Sequence, residues 1–174
     1  MGIVIEPARS DADIADVTTL AWAFVAQLKQ RYPERVQEIE DYLRRQRFVE
    51  MLGDFRDHFM PPSGECMLAR LNGSAVGIVM LKPVDAVLCE MNRMYVAPAA
   101  RGHGIGRALC VDLMSRAWDL GYREMRLGAL HRHVEALPLY RSLGFGPDPD
   151  PPEASRDDPG VINMRIALKP AVRP

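Results

Sequence analysis

One stretch constrains this chain more than any other: Val96, then Ala97-Pro98-Ala99-Ala100, then Arg101-Gly102-His103-Gly104-Ile105-Gly106-Arg107. Residues 87–96 read as a strand. Ile105, Leu109, Leu113 and Ala117 fall four apart and read as one face of a helix over 104–120, which Gly121 stops. A strand, a glycine-rich turn and a helix start in succession make an anion site. The first N–H groups of a helix have no internal acceptor, and the helix dipole favours negative charge there. Glycine lets the main chain approach a phosphate with no Cβ in the way. Arg101 and Arg107 can add charge-assisted contacts, and His103 lies in the same turn, exposed beside the anion. Two nucleotide motifs are excluded. Arg107 stands where the third glycine of a dinucleotide turn would be, and no Gly-Lys-Ser/Thr closes the turn as in a P-loop. The alternative is a tight strand-to-helix turn that holds no ligand.

The rest of the chain alternates between two periods. Ile3 to Glu6 suits a short strand ended by Pro7. Ser10-Asp11-Ala12-Asp13 has capping-box spacing ahead of Ile14, Val17, Leu20, Phe24 and Leu28. Tyr32-Pro33 breaks that helix, and Val36, Ile39, Leu43, Phe48 and Leu52 predict a second one. The basic run 44–47 reads as a solvated face. After Pro61-Pro62-Ser63-Gly64, residues 65–71 and 75–81 read as a hairpin across Asn72-Gly73. Residues 124–130 form a strand, 134–143 a helix stopped by Gly144, and Phe145 begins a short strand. The Pro- and Asp-rich stretch 148–160 is a loop, and 161–168 is a last strand. Pro138 either bends its helix or lies near a start at Leu137. The order is strand, two helices, three strands, helix, strand, helix, two strands. It predicts a mixed α/β fold over 1–174: one domain, with a central sheet of six to seven strands and about four helices.

Composition limits the function. A chain of 174 residues, 48% hydrophobic, can bury a sizeable core in one domain. A formal net charge of −1 gives no electrostatic case for nucleic acid or an anionic membrane surface. Cys66, Cys89 and Cys110 match no zinc spacing and sit among apolar neighbours, so they read as small buried hydrophobes and no metal is expected. Reduced cysteines, no basic-then-apolar leader and no apolar run of membrane length fit a cytoplasmic protein. Exposed sheet edges are compatible with a homodimer.

Three motifs together resemble one family. Arg-x-x-Gly-x-Gly after a strand and opening a helix is similar to motif A of the GCN5-related N-acetyltransferases (GNAT). Cys89-Glu90-Met91-Asn92-Arg93-Met94-Tyr95-Val96-Ala97-Pro98 resembles that family's fourth strand and its Val-x-Pro exit. Leu139-Tyr140-Arg141-Ser142-Leu143-Gly144-Phe145 resembles its Leu-Tyr-x-x-Leu-Gly-Phe signature. The resemblance covers nearly the whole chain. It implies that strands four and five splay and that acetyl-CoA lies in the gap, its pantetheine arm on the backbone of Met94, Tyr95 and Val96. It places the pyrophosphate on Arg101, Gly102, His103, Gly104, Ile105, Gly106 and Arg107. It implies no metal, and an amine acceptor that enters from the other side and attacks the thioester directly. Two positions depart from the family: His133 stands where Asn often contacts the cofactor arm, and Leu127-Gly128-Ala129 replaces the frequent Leu-Asp-Thr.

An amine at neutral pH must lose a proton before it attacks, and the departing thiolate gains from a positioned acid. Tyr140 is the candidate acid; packing of its helix on the sheet is the alternative. Glu90 is the candidate base. On straight strand parity it shares a face with Met94 and Val96, and apolar surroundings would raise its pKa towards neutrality. Its alternative is an ion pair with Arg93 or another base. His131 and His133 are rival bases, while His58 has no assigned role. The leading expectation is acetyl transfer to a small or amino-acid-like amine. A protein N-terminal or lysine acetyltransferase and a non-catalytic acyl-CoA-binding regulator stay open. A long groove would favour the protein acceptor, and a pocket closed under 148–160 the small one.

Overall fold

A computed structural model describes residues 2–171. The first turn of the first helix forms as its spacing predicts. The Ser10 hydroxyl accepts the Asp13 N–H at 3.1 Å, and the Asp13 carboxylate accepts the Ser10 N–H at 3.0 Å. Those bonds hold the Asp13 carboxyl well below the usual carboxylate range. After β1 (Ile3–Pro7) this helix, α1 (Asp11–Arg31), runs to Tyr32. Arg70 ties α1 to the sheet through Asp13 at 2.8 Å and Asp16 at 2.9 Å.

The single helix expected over 36–52 is two pieces, α2 (Val36–Arg45) and α3 (Phe48–Gly53), preceded by a 3-10 turn at Pro33–Arg35 and followed by a short α4 (Phe55–His58). Apolar residues continue across the break, but Phe48 stands five residues after Leu43, off the helical step, and the two sides serve different cores. Ile39 and Leu43 pack with Leu28 and Tyr32, whereas Phe48, Leu52, Phe55 and Phe59 pack beneath the sheet. Arg47, at φ 52°, turns the chain between them. The basic run around it is solvated, with Arg44, Arg45 and Arg47 exposed.

The hairpin is β2 (Glu65–Leu71) and β3 (Ser74–Pro83), followed by β4 (Leu88–Val96), α5 (Ile105–Asp119) and β5 (Glu124–Leu130). Then come α6 (Ala136–Ser142), β6 (Gly146–Pro147), a one-turn α7 (Glu153–Arg156) inside the expected loop, and β7 (Val161–Ala167). Among the described residues the α-helices number seven rather than about four, because the second helix is split into α2 and α3 and the short α4 and α7 are added. Pro138 falls in the first turn of α6, where its missing N–H costs no helical bond. The seven strands lie in the order β1-β2-β3-β4-β5-β7-β6, with β4 and β5 parallel and every other neighbour antiparallel.

The sheet separates two cores. One packs α5 and α6 on Met67, Val79, Leu81, Met91 and Met125; the other packs α1, α3 and α4 on Leu68, Ile78, Met80 and Tyr95. All three cysteines are buried thiols, and burial pushes Cys89 and Cys110 up to about 12. Among the described residues no helix is long and apolar enough to cross a membrane.

Candidate active site

The site starts where two strands stop pairing. β4 and β5 are joined at Leu88↔Glu124, Cys89↔Met125 and Glu90↔Arg126, and no further. Beyond Glu90, β4 stays with β3 as far as Gly77↔Val96, while β5 stays with β7 as far as Leu130↔Val161. The expected splay is therefore present. A cavity of about 660 Å³ opens along it, from the glycine turn at one end to α2 and the 148–160 loop at the other.

Backbone builds the turn end. The N–H groups of residues 102–107 precede the first helical bond, from Ala108 N–H to Gly104 O at 3.1 Å, and none donates to a backbone carbonyl. Gly102 and Gly104 adopt φ of 81° and 77°, the left-handed region that side chains disfavour. Six successive free donors at the start of a fifteen-residue helix fit a pyrophosphate. The flanking arginines are used differently from one another. Arg101 Nε donates to Val96 O at 2.9 Å and its Nη2 to Gln27 Oε1, so it clamps the turn to β4 and α1. Arg107 is exposed and donates to Ser142 Oγ at 3.0 Å. His103 is exposed, with Nδ1 3.2 Å from Ala100 O. Ile105 is buried in the α5 core.

Tyr140, on α6, lines the cavity. Its ring packs edge-on to Phe145 at 6.0 Å between centroids. Among the described residues its hydroxyl makes no hydrogen bond within the protein. Burial pushes the phenol well above its usual range, so it stays a proton donor at neutral pH. His133 also lines the cavity, against the Tyr32 ring at 5.9 Å. Its Nε2 is buried without a partner, and burial lowers its pKa, keeping it neutral. His131 is exposed, with Nδ1 3.2 Å from Gly160 O.

A β-bulge builds the opposite wall and corrects the parity expected for Glu90. Met80 pairs with Asn92 but Ile78 with Tyr95, so three steps of β4 oppose two of β3. Arg93, at φ 51°, is the extra residue. Cys89, Met91, Met94 and Val96 consequently share the α5 face. Glu90, Asn92, Arg93 and Tyr95 share the other: Asn92 Nδ2 donates to Glu90 Oε1 at 2.9 Å, Arg93 lies over Phe48, and Tyr95 packs in the α1 core. Glu90 faces away from Met94 and Val96, and its surroundings are cationic rather than apolar. Arg126 Nε donates to Glu90 Oε2 at 2.8 Å, and Lys82 Nζ lies 3.6 Å from Oε1.

The 148–160 loop lines this end through Pro152, Ala154, Ser155 and Asp158. Asp158 is bridged to Arg35, at the start of α2, at 2.6 Å, and accepts the Gly160 N–H at 2.8 Å. A Cβ on Gly160 would collide with the Arg35 guanidinium. Lys82, Arg126, Arg35 and Asp158 carry this wall and were not singled out by sequence. A lone arginine within the otherwise apolar 125–130 was the available signal for Arg126.

Comparison with known proteins agrees with this geometry. Residues 22–145 match the model of the acetyltransferase (GNAT) family. An uncharacterized N-acetyltransferase of Schizosaccharomyces pombe is 32% identical over 137 residues, 78% of this chain and 83% of that protein. Human N-acetylaspartate synthetase is 34% identical over 131 residues, 74% of this chain but 42% of the synthetase, so the chain spans less than half of that relative. Among solved structures, a GNAT-family acetyltransferase of Staphylococcus aureus superposes with a TM-score of 0.73 at 18% identity, covering 97% of this chain and 100% of that one. The PaiA N-acetyltransferase of Thermoplasma acidophilum, solved in complex with coenzyme A, gives 0.71 at 19% identity with the same coverage.

Proposed function

Because the chain belongs to the acetyltransferase (GNAT) family, we propose that it moves the acetyl group of acetyl-CoA to the primary amine of a small, amino-acid-like molecule by direct attack. Family membership and the six free amides of residues 102–107 support acetyl-CoA as cosubstrate. When bound, acetyl-CoA supplies the acyl group as a thioester. The chain's own residues do the rest. The amides of the turn hold the pyrophosphate, and backbone of Met94, Tyr95 and Val96 lines the gap for the arm. Tyr140 gives its phenolic proton to the departing sulfur as the C–S bond breaks, and burial keeps that phenol protonated until then. Glu90 lies on the wall opposite Met94 and Val96, held by Arg126, and takes the acceptor's proton through water.

The observation that carries a small acceptor is the bridge from Asp158 to Arg35. It ties the 148–160 loop across that end of the cavity, which favours a small acceptor over a protein segment. The test is Tyr140→Phe. Acetyl-CoA should still raise the melting temperature, while thiol release with an amine falls about 10²-fold. Unchanged turnover would reduce Tyr140 to a packing residue.

A further inference from the structure

The acceptor wall holds three cations around one carboxylate. Arg126 and Lys82 are engaged with Glu90 at 2.8 Å and 3.6 Å. Arg93 is not. It is 8% exposed and lines the cavity, and among the described residues it joins no ion pair. Its Nη2 donates to Gln46 Oε1 at 3.1 Å, and its Cζ lies 4.7 Å from the centre of the Phe48 ring. A guanidinium carries five N–H donors in a planar fork; one meets an acceptor here. Burying a cation without a counter-charge is unfavourable. Burial lowers the pKa of Arg93, although the nearby charge of Glu90 opposes the shift. The bulge adds backbone strain, since a non-glycine residue takes φ 51° to point this side chain at the chamber. Glu90 and Arg93 thus share one wall with opposite charges and no bridge between them.

We propose that Arg93 is the docking point for a carboxylate of the acceptor. The preferred acceptor is then an amino acid bound as a zwitterion, its ammonium towards Glu90 and its carboxylate on the Arg93 fork. A paired fork-to-carboxylate contact discriminates by geometry as well as charge. The inference rests on the acetyl transfer proposed above and narrows its acceptor.

The test compares acceptors first and variants second. Thiol release from acetyl-CoA is measured with L-alanine, L-aspartate and L-glutamate, with their α-carboxamides, and with spermidine. Each acid should exceed its amide by about 10- to 100-fold in kcat/KM, the scale of a hydrogen-bonded charge. Arg93→Gln should erase that preference by raising KM for the acid, leaving the amide's kcat and the acetyl-CoA-dependent melting shift in place. Arg93→Lys should restore part of it. A residue that only braces Gln46 and Phe48 would lower acid and amide turnover alike, and that result overturns the proposal. So does an amide or spermidine that matches or beats the acids in the wild-type chain, a comparison that needs no variant to fold. If acetyl-CoA raises the melting temperature but no amine releases thiol, the transfer reading fails by itself. Calorimetric titration of L-aspartate and its α-carboxamide then decides this inference. Binding of the acid alone, lost in Arg93→Gln, upholds it, and equal or absent binding overturns it.

Discussion

The two ends of the cavity are made from different materials. At the turn, six main-chain N–H groups and two left-handed glycines form the surface, and the nearest arginine serves as a clamp. At the acceptor wall, side chains from β3, β4 and β5 form it, and a single extra residue in β4 decides which of them face inward. A site built from backbone accepts any ligand with the right anion, because every chain can offer amides in that array. A site built from side chains can discriminate. The division suits an enzyme with a common donor and a particular acceptor.

Substitutions at the two ends should separate cleanly if that contrast is right. Gly104→Val offers the largest effect. Nothing lies within 4 Å of the added Cβ, so the damage comes from forcing a β-branched residue to φ 77°. At a hundredfold excess over Kd, acetyl-CoA should stabilise the parent by about 2.7 kcal/mol, or roughly 5–10 °C. The variant should lose that shift and keep calorimetric binding of the amine. Retained coenzyme binding would mean that the turn is not the pyrophosphate site.

Glu90→Gln probes the other end. Cofactor binding should persist, while turnover falls about 10²-fold. An unchanged turnover number, together with a lowered one in His133→Asn, would move the proton to the loop after β5.

The smallest effect lies between the two ends. The pKa of His133 is lowered in the folded chain, so as pH falls below the ordinary histidine value the unfolded chain takes the proton first. Stability is therefore present above about pH 6.5 and lost below it, with a slope of at most about 1.4 kcal/mol per pH unit. His133→Asn should flatten the melting temperature between pH 7 and pH 5. Parallel curves for the two proteins would show that His133 titrates normally.

What could be read from sequence follows the same line. The turn and the element order rest on spacing, glycine and proline, which act on the backbone directly, whereas the splay was implied by the family resemblance alone. The bulge carries no such mark: Asn92-Arg93 contains no glycine, and counting by twos through it put Glu90 on the wrong face. The break after α2 did leave a mark. Phe48 stands five residues after Leu43, off the three- or four-residue helical step, and lies about half a turn round from Ile39 and Leu43. Arg101 shows a further limit. Its charge alone does not reveal that its Nε donates to Val96 O and its Nη2 to Gln27 Oε1.

The parting of β4 and β5 has a last consequence. Sheets protect themselves at their rims, where short strands, charges and prolines discourage a stranger from adding on. Here a rim lies in the interior of a seven-stranded sheet, because past Glu90 and Arg126 the two neighbours cease to bond each other. It is shielded from other chains by α1 on one side and α5 on the other, which pack against opposite faces. Only something narrow and extended, with amides of its own, can complete the ladder. In the empty protein, amide hydrogens of β4 beyond Glu90 that do not bond β3 should therefore exchange faster than those that do, and slow when such a molecule is threaded through.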